Sequence, residues 1–260
     1  MGYFSFKKQY LSSDTLDHKE LYHYYIDEGA KNITSGSFWK NHEMASVCFP
    51  NTVKKIYGYV CAECDELVKV VLPNSITYIG PRAFSRCHML SSVTIPENVE
   101  LTGNGIFSYC KCLSSVSYLG YEIADSAFIG SHNITSIFIG ENVKRIDSDI
   151  FVNCKKIKSL VVDVNNKFYD SRNNCNAIIE TNSNTLILGC NTSLVPYGVK
   201  KISKRAFKYC GRMKNIVLPD SLEYIGSLPS SIQKIYIPKG SKDKFRLLLP
   251  NKKSKLIELL

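Results

Sequence analysis

Cys61 and Cys64 form a CxxC pair, the spacing at which two thiolates hold a structural zinc or cycle between dithiol and disulfide. A structural zinc needs a second pair of ligands, and none is suitably placed. The CKC of Cys110 and Cys112 adds one further cysteine without a partner motif. The five histidines, His18, His23, His42, His88 and His132, are dispersed, and His18 and His23 stand five apart, off a common helical face. The Asp- and Asn-rich DVNNKFYDSRNN lacks the glycine and terminal glutamate of an EF-hand loop and reads as polar turns. HExxH, GxSxG and glycine-rich phosphate loops do not occur. The residues therefore call for no catalytic group, no enzyme, no cofactor and no metal.

A stronger explanation of these cysteines is periodicity. The stretch LPNSITYIGPRAFSRCHMLSSVTIP, Leu72 to Pro96, is one unit of a repeat: Pro50, Pro73 and Pro96, and likewise Cys64, Cys87 and Cys110, follow at intervals of 23 residues. Such a step signals stacked modules, each packing on its neighbours. One period before Phe84 and Cys87 stand Cys61 and Cys64, so both cysteines of the CxxC occupy core positions. Cys64, Cys87, Cys110, Cys154 and Cys210 share one position, taken by Ser131 in a shortened module. This predicts a packing column of small, readily buried thiols. Adjacent members could lie about 5 Å apart, the spacing of neighbouring strands, so distance alone leaves disulfide bridging open.

The elements that carry these columns follow from pattern. Val93 and Ile95 alternate with Thr94, the period of a half-buried strand, and proline then ends the pairing by removing a donor. After it, RAFSRC places Ala83, Phe84 and Cys87 on one side of a helical turn, and Phe84, Phe107, Phe128, Phe151 and Phe207 are expected to stack as an aromatic spine. Residues 1–43 do not fit the repeat and read as a partly helical N-terminal cap. In it Ser12, Ser13 and Asp14 start a helix through LDHKELYHYYIDE, with Leu16 among its packing residues. The array spans 44–238, interrupted at about 163–191 by AIIE and TLIL, a β-meander with polar turns. Residues 239–260 form a C-terminal cap, with Ser241 before the short helix KDKFRLLL and KLIEL as a closing strand.

Laid out in this way, LPNSITYIGPRAFSRCHMLSSVTIP, GVKKISKRAFKYCGRMKNIVLPDSLEYIG and IYIPKGSKDKF resemble the BspA-like branch of the leucine-rich repeats over roughly residues 44–250. The insertion is similar to inserts in bacterial members. The resemblance implies a mostly β leucine-rich repeat solenoid of α/β type: a right-handed curved array, a parallel sheet on the concave side and short helical turns on the convex side. Many relatives are cell-surface proteins linked to adhesion. MGYFSFKKQYLSSD holds no apolar run of secretory length and no window approaches membrane-spanning length, so the expected location is cytoplasmic, with the cell surface as the alternative by resemblance. Asn32, Asn133 and Asn191 stand in glycosylation sequons, which matter only in a glycosylating secretory pathway.

Two surfaces remain as candidates for binding. The net charge of +10 is concentrated at one end: from Cys190 onward there are 15 Lys and Arg against Asp220, Glu223, Asp243 and Glu258. Lys200, Lys201, Lys204, Arg205, Lys208 and Arg212 would serve an anionic surface or nucleic acid through charge neutralisation, although solvated turns explain such a run more often. The second surface is the outward row of the strands, Val71, Thr94, Ser117, Phe138, Val161, Leu194, Val217 and Tyr236. Water does not require so many apolar residues in one row, and contiguous apolar exposure marks interaction sites. Strand propensity, or a meander folded over the row, is the competing explanation. The sequence thus predicts a non-catalytic solenoid that binds an unidentified protein or peptide on its concave sheet.

Overall fold

The structure, a computed structural model, describes residues 5–14, 19–147 and 149–259. They fall into two compact units, Met1–Lys156 and Ile157–Leu260.

In the first unit each repeat supplies a longer strand, a two-residue strand and a string of turns. The longer strands Met44–Cys48 and Lys69–Val71 pair in parallel, with Val47 opposite Val70. Ser92–Ile95, Ser115–Tyr118 and Ser136–Ile139 form a second parallel ladder in which Val93, Val116 and Ile137 align, as do Ile95, Tyr118 and Ile139. All six of these aligned side chains are buried. Parallel in-register pairing puts each apolar residue above its counterpart, and every fully buried Val or Ile contributes about 1.5–3 kcal/mol. The short strands repeat the scheme, with Ile33, Ile56 and Ile79 in one column. Proline separates the two kinds of strand. The carbonyls of Pro50, Pro73 and Pro96 accept from the amides of Val53, Ile76 and Val99 at 3.1–3.2 Å, so the residue that ends each strand also closes the next turn.

The helical turns expected after the short strands take the form of consecutive hydrogen-bonded turns stacked from repeat to repeat. The amides of Arg82, Phe84 and Arg86 donate to the carbonyls of Asn104, Ile106 and Ser108 at 2.8–3.0 Å, and the same triple recurs at Tyr59, Cys61 and Glu63. Alternate N–H groups must therefore all point towards the next repeat. The first and third residue of each triple meet this requirement in the left-handed region: Tyr59 and Glu63, Arg82 and Arg86, Gly105 and Tyr109 all have φ between 53° and 66°.

Inside these turns four of the five expected rings form the aromatic spine, while Phe207, in the second unit, packs against Gly189. Phe84, Phe107, Phe128 and Phe151 stack nearly parallel, with successive centroids 5.3, 5.9 and 5.4 Å apart. Offset stacking of this kind adds about 0.5–1.5 kcal/mol per pair beyond burial. The cysteine column does more than fill space. Cys64, Cys87, Cys110 and Cys154 donate their thiols to the carbonyls of Phe38, Cys61, Phe84 and Phe128 at 3.0–3.3 Å, each reaching back 26 residues. All ten cysteines are free thiols in the structure, and those of the column point at carbonyls and not at one another. Burial pushes the thiols of Cys110 and Cys154 up to about 12, and that of Cys87 well above its usual range.

The N-terminal region departs from expectation. In place of the helix through LDHKELYHYYIDE, Phe6–Asp14 and Lys19–Ile26 form an antiparallel hairpin. The second of these strands then pairs in parallel with Met44–Cys48, Tyr24 lying opposite Val47. Leu16 and His18 lie outside the described residues. The physical reason is the alternation of Tyr22, Tyr24 and Ile26, aromatic and β-branched residues whose period of two fits a pleated surface, combined with an available strand edge at Met44–Cys48. Ile33 and Phe38 are buried in the same columns as Ile56 and Cys61, so repeat positions occur ahead of residue 44.

In the second unit the insertion is the expected meander. Ala177–Glu180 pairs antiparallel with Tyr169–Asp170 and with Thr185–Gly189. Thr185–Gly189 then pairs in parallel with Lys201–Ile202, which continues to Tyr224–Ile225. The insertion thereby re-enters the short-strand ladder. Phe207 sits against Gly189, where an added Cβ would collide with its ring, and Cys210 donates to the Gly189 carbonyl at 3.3 Å. The helix Lys242–Leu248 follows Ser241, whose hydroxyl bonds the Pro238 carbonyl instead of capping, and Leu256–Glu258 closes the sheet beside Lys234–Ile237.

Candidate functional site

The residues with catalytic or metal-binding chemistry are absorbed by the fold. Cys61 and Cys64 are both fully buried, and Cys64 is occupied with the Phe38 carbonyl. Among the described residues, no group of three or more His, Cys, Asp or Glu could hold a metal ion. His23 bonds Ser46 at 2.5 Å, and His132 meets the Asn153 carbonyl at 3.1 Å. The structure does bring His42 and His88 to the two oxygens of Asp65, at 3.5 and 3.9 Å, all three in solvent contact. In DVNNKFYDSRNN the carboxamide of Asn166 accepts from the amides of Phe168 and Tyr169 at 2.8 Å, and Asp163 accepts from Asn165 at 2.8 Å. These side chains close turns.

The outward strand row is resolved into aligned residues within each unit. In the first, Tyr25, Cys48 and Val71 stand opposite one another, and so do Thr94, Ser117 and Phe138. In the second, Val217, Tyr236 and Ile257 align across three parallel strands. In the second unit Val161 and Val217 are open to solvent, 44% and 49% exposed. The meander does not cover them, because its own apolar residues Ala177, Ile178 and Ile179 turn into the core. Leu194, 59% exposed, follows the strand Thr185–Gly189 in irregular chain and does not belong to the strand row, because its amide is taken by the Cys175 carbonyl in a turn. Tyr25 and Ile257 extend the rows beyond the positions read from sequence. Tyr25 stands one 23-residue period before Cys48, inside a run that reads locally as a helix, whereas Ile257 follows Tyr236 by 21 residues and is placed only by strand pairing.

The candidate basic residues Lys200, Lys201, Lys204, Arg205, Lys208 and Arg212 are exposed, on turns and a strand. Lys200 pairs with Glu223 at 3.4 Å, Lys208 lies 5.1 Å from the Tyr209 ring centre, and the Arg212 amide is held by Asn191. Lys201, Lys204 and Arg205 extend the same set along the chain.

With the fold and its surfaces described, sequence comparison identifies the repeat. The BspA-type leucine-rich repeat region matches in six copies over residues 9–120 and 187–244. The chain belongs to the BspA-type leucine-rich repeat family. Among curated proteins, no sequence matches it. Solved structures of similar fold include a leucine-rich cell surface protein of Faecalibacterium prausnitzii, 24% identical over 90% of this chain and 76% of that one, with a TM-score of 0.56. A leucine-rich repeat protein of Bacteroides ovatus is 18% identical over 96% and 74%, TM-score 0.56. The pneumococcal vaccine antigen PcpA is 17% identical over 89% and 70%, TM-score 0.61. At these identities the likeness is one of fold. The first BspA-type match begins at residue 9, in keeping with the repeat columns found ahead of residue 44. As in other leucine-rich repeat solenoids, the chain offers long aligned strand faces. Among its described residues no helix is long and apolar enough to cross a membrane.

Proposed function

We propose that this protein is a non-catalytic binding module that engages a polypeptide along the outward faces of its longer strands. The observation that carries the reading is the alignment of outward apolar side chains in register, exposed Val217 and Ile257 on either side of half-buried Tyr236 in one unit and half-buried Phe138 beside Ser117 in the other. Repeated pairing of parallel strands holds these side chains at about 4.8 Å spacing on a rigid surface. An extended partner meeting such a row gains apolar contact without ordering the protein first, which lowers the entropic cost of association. Phe138→Ser combined with Tyr236→Ser is expected to abolish capture of a partner from extracts of the native cell while leaving the melting temperature within a few degrees. Unaltered capture removes the strand face from consideration.

A surface adhesin is the second reading, supported by the description of the Faecalibacterium relative as a cell surface protein. Fractionation of cells producing the untagged protein separates the two readings: recovery only in the cytoplasmic fraction excludes the adhesin. The basic set from Lys200 to Arg212 supports a third reading, an anionic surface or nucleic acid. That partner must dissociate steeply as salt rises. Salt-insensitive binding, or none to DNA or RNA, dismisses it.

A further inference from the structure

The turn face of the first unit contains a groove of about 610 Å³ whose walls are the two rows of left-handed residues. Arg82 and Arg86 line it together with Tyr59, Tyr109 and Glu63. Ser85 and Ser108 lie at its base, only 6% and 4% exposed. Neither hydroxyl is bonded to a protein group among the described residues, and neither is one of the buried oxygens closed off from solvent, so both open into the groove. Ser108 Oγ borders the space that Gly105 leaves open, 3.4 Å from the position a Cβ would take there. The base of the groove therefore presents two unused donors.

The walls supply charge. The Arg82 guanidinium lies 6.0 Å from the Tyr59 ring centre and bonds its hydroxyl at 3.3 Å, and the Arg86 guanidinium lies 5.6 Å from the Tyr109 ring centre. Tyr109 is itself backed by Gly130, whose added Cβ would meet the ring at 2.6 Å. These ring contacts restrict the guanidinium groups without neutralising them. Among the described residues no carboxylate pairs with Arg82 or Arg86, and the one carboxylate in the groove, Glu63, faces Lys40 at 3.9 Å. Equivalent positions in the two rows are glycine at Gly36, Gly105 and Gly130, where left-handed backbone carries no steric cost. Arg82, Arg86, Tyr59 and Tyr109 adopt it at about 1–2 kcal/mol each.

We propose that this groove is a binding site for a small oxyanion-bearing molecule. Its carboxylate, sulfate or phosphate group is held by the guanidinium groups, with the Ser85 and Ser108 hydroxyls donating to the same ligand. Guanidinium forks suit planar and tetrahedral oxyanions, and hydroxyl donors at a shielded base add direction to the charge. A groove of this size holds an inorganic ion or an acidic sugar.

Titration calorimetry of the full chain at low ionic strength, using sulfate, phosphate, glucuronate and glucose, tests the proposal. The three anions are expected to bind saturably and glucose not at all. Tighter binding of glucuronate identifies a sugar acid as the ligand, whereas equal affinities identify the oxyanion alone. Arg82→Gln with Arg86→Gln should weaken anion binding about tenfold or more, since hydrogen bonds to charged groups are worth that factor. Ser108→Ala leaves the left-handed positions untouched and should weaken binding several-fold. Absence of saturable anion binding, or unchanged affinity in the Ser108→Ala protein, overturns the proposal.

Discussion

Ser131 Oγ donates to the carbonyl of Phe107 at 2.8 Å, 24 residues earlier in the chain, and accepts the amide of Cys110 at 3.0 Å. Cys110 makes the corresponding thiol contact to Phe84 at 3.2 Å. The column thus requires a small buried donor, and serine and cysteine both satisfy it. Ser131→Ala leaves the Phe107 carbonyl and the Cys110 amide without this partner in the core. It should destabilise the protein by about 1–3 kcal/mol in urea unfolding. Ser131→Cys should recover part of that loss, and an alanine variant as stable as wild type would reduce the column to packing alone.

Phe128 is stacked on both faces, by Phe107 and by Phe151. Its replacement by alanine opens a cavity between two rings that the stacked turns prevent from closing. A loss of about 3–5 kcal/mol is expected by thermal melting. Negligible destabilisation would show that the spine is not part of the stabilising core.

Gly189→Ala tests how tightly the insertion is joined to the repeat that follows. The new methyl group collides with the Phe207 ring, and overpacking of this kind costs about 1–3 kcal/mol. Combining it with Phe207→Leu, which removes the colliding ring, should give a sum smaller than the two separate losses. Strict additivity in denaturation would contradict direct contact.

The thiols give both a reactivity pattern and a pH dependence. Cys112 is exposed and Cys48 half-buried, while the other eight are buried. A thiol reagent should label Cys112 quickly, Cys48 more slowly, and the rest only on unfolding. Burial raises the Cys110 and Cys154 thiols to about 12, above the unfolded value of about 8.5. Between these values the unfolded chain has released protons that the folded one retains, so stability falls as pH rises from about 9 towards 12. Cys110→Ser removes one such group. Its stability deficit relative to wild type, measured by urea unfolding at pH 7 and pH 10.5, should shrink at the higher pH.

Much of the repeat is legible in the chain because each position has a physical demand that few residues meet. Proline after the strand, isoleucine in the short strand, phenylalanine and cysteine in the turns recur at 23 residues, and burial of those columns follows directly. The hairpin at Phe6–Asp14 and Lys19–Ile26 was not legible. Capping residues and a mixed polar-apolar run satisfy a helix locally, and the strand is selected by an edge that Met44–Cys48 offers only once folded. Strand pairing aligns Thr94, Ser117 and Phe138, and Val217 with Tyr236, although the steps shorten to 21 and 19 residues. It adds Tyr25, one 23-residue period before Cys48 but inside a run that reads as a helix, and Ile257, 21 residues after Tyr236.

Sequence by itself determined the repeat, its core columns and the absence of any recognised catalytic motif, because periodic burial is a local property of residue type and spacing. Tertiary structure decided three other matters. It directed the first unit's column thiols onto carbonyls 26 residues away, and it put the first and third residues of the stacked turns from Gly36 to Gly130 in the left-handed region. It also gathered Arg82, Arg86, Ser85 and Ser108 around one groove. These depend on the direction in which side chains and N–H groups point between neighbouring repeats, and that direction exists only once the repeats are stacked.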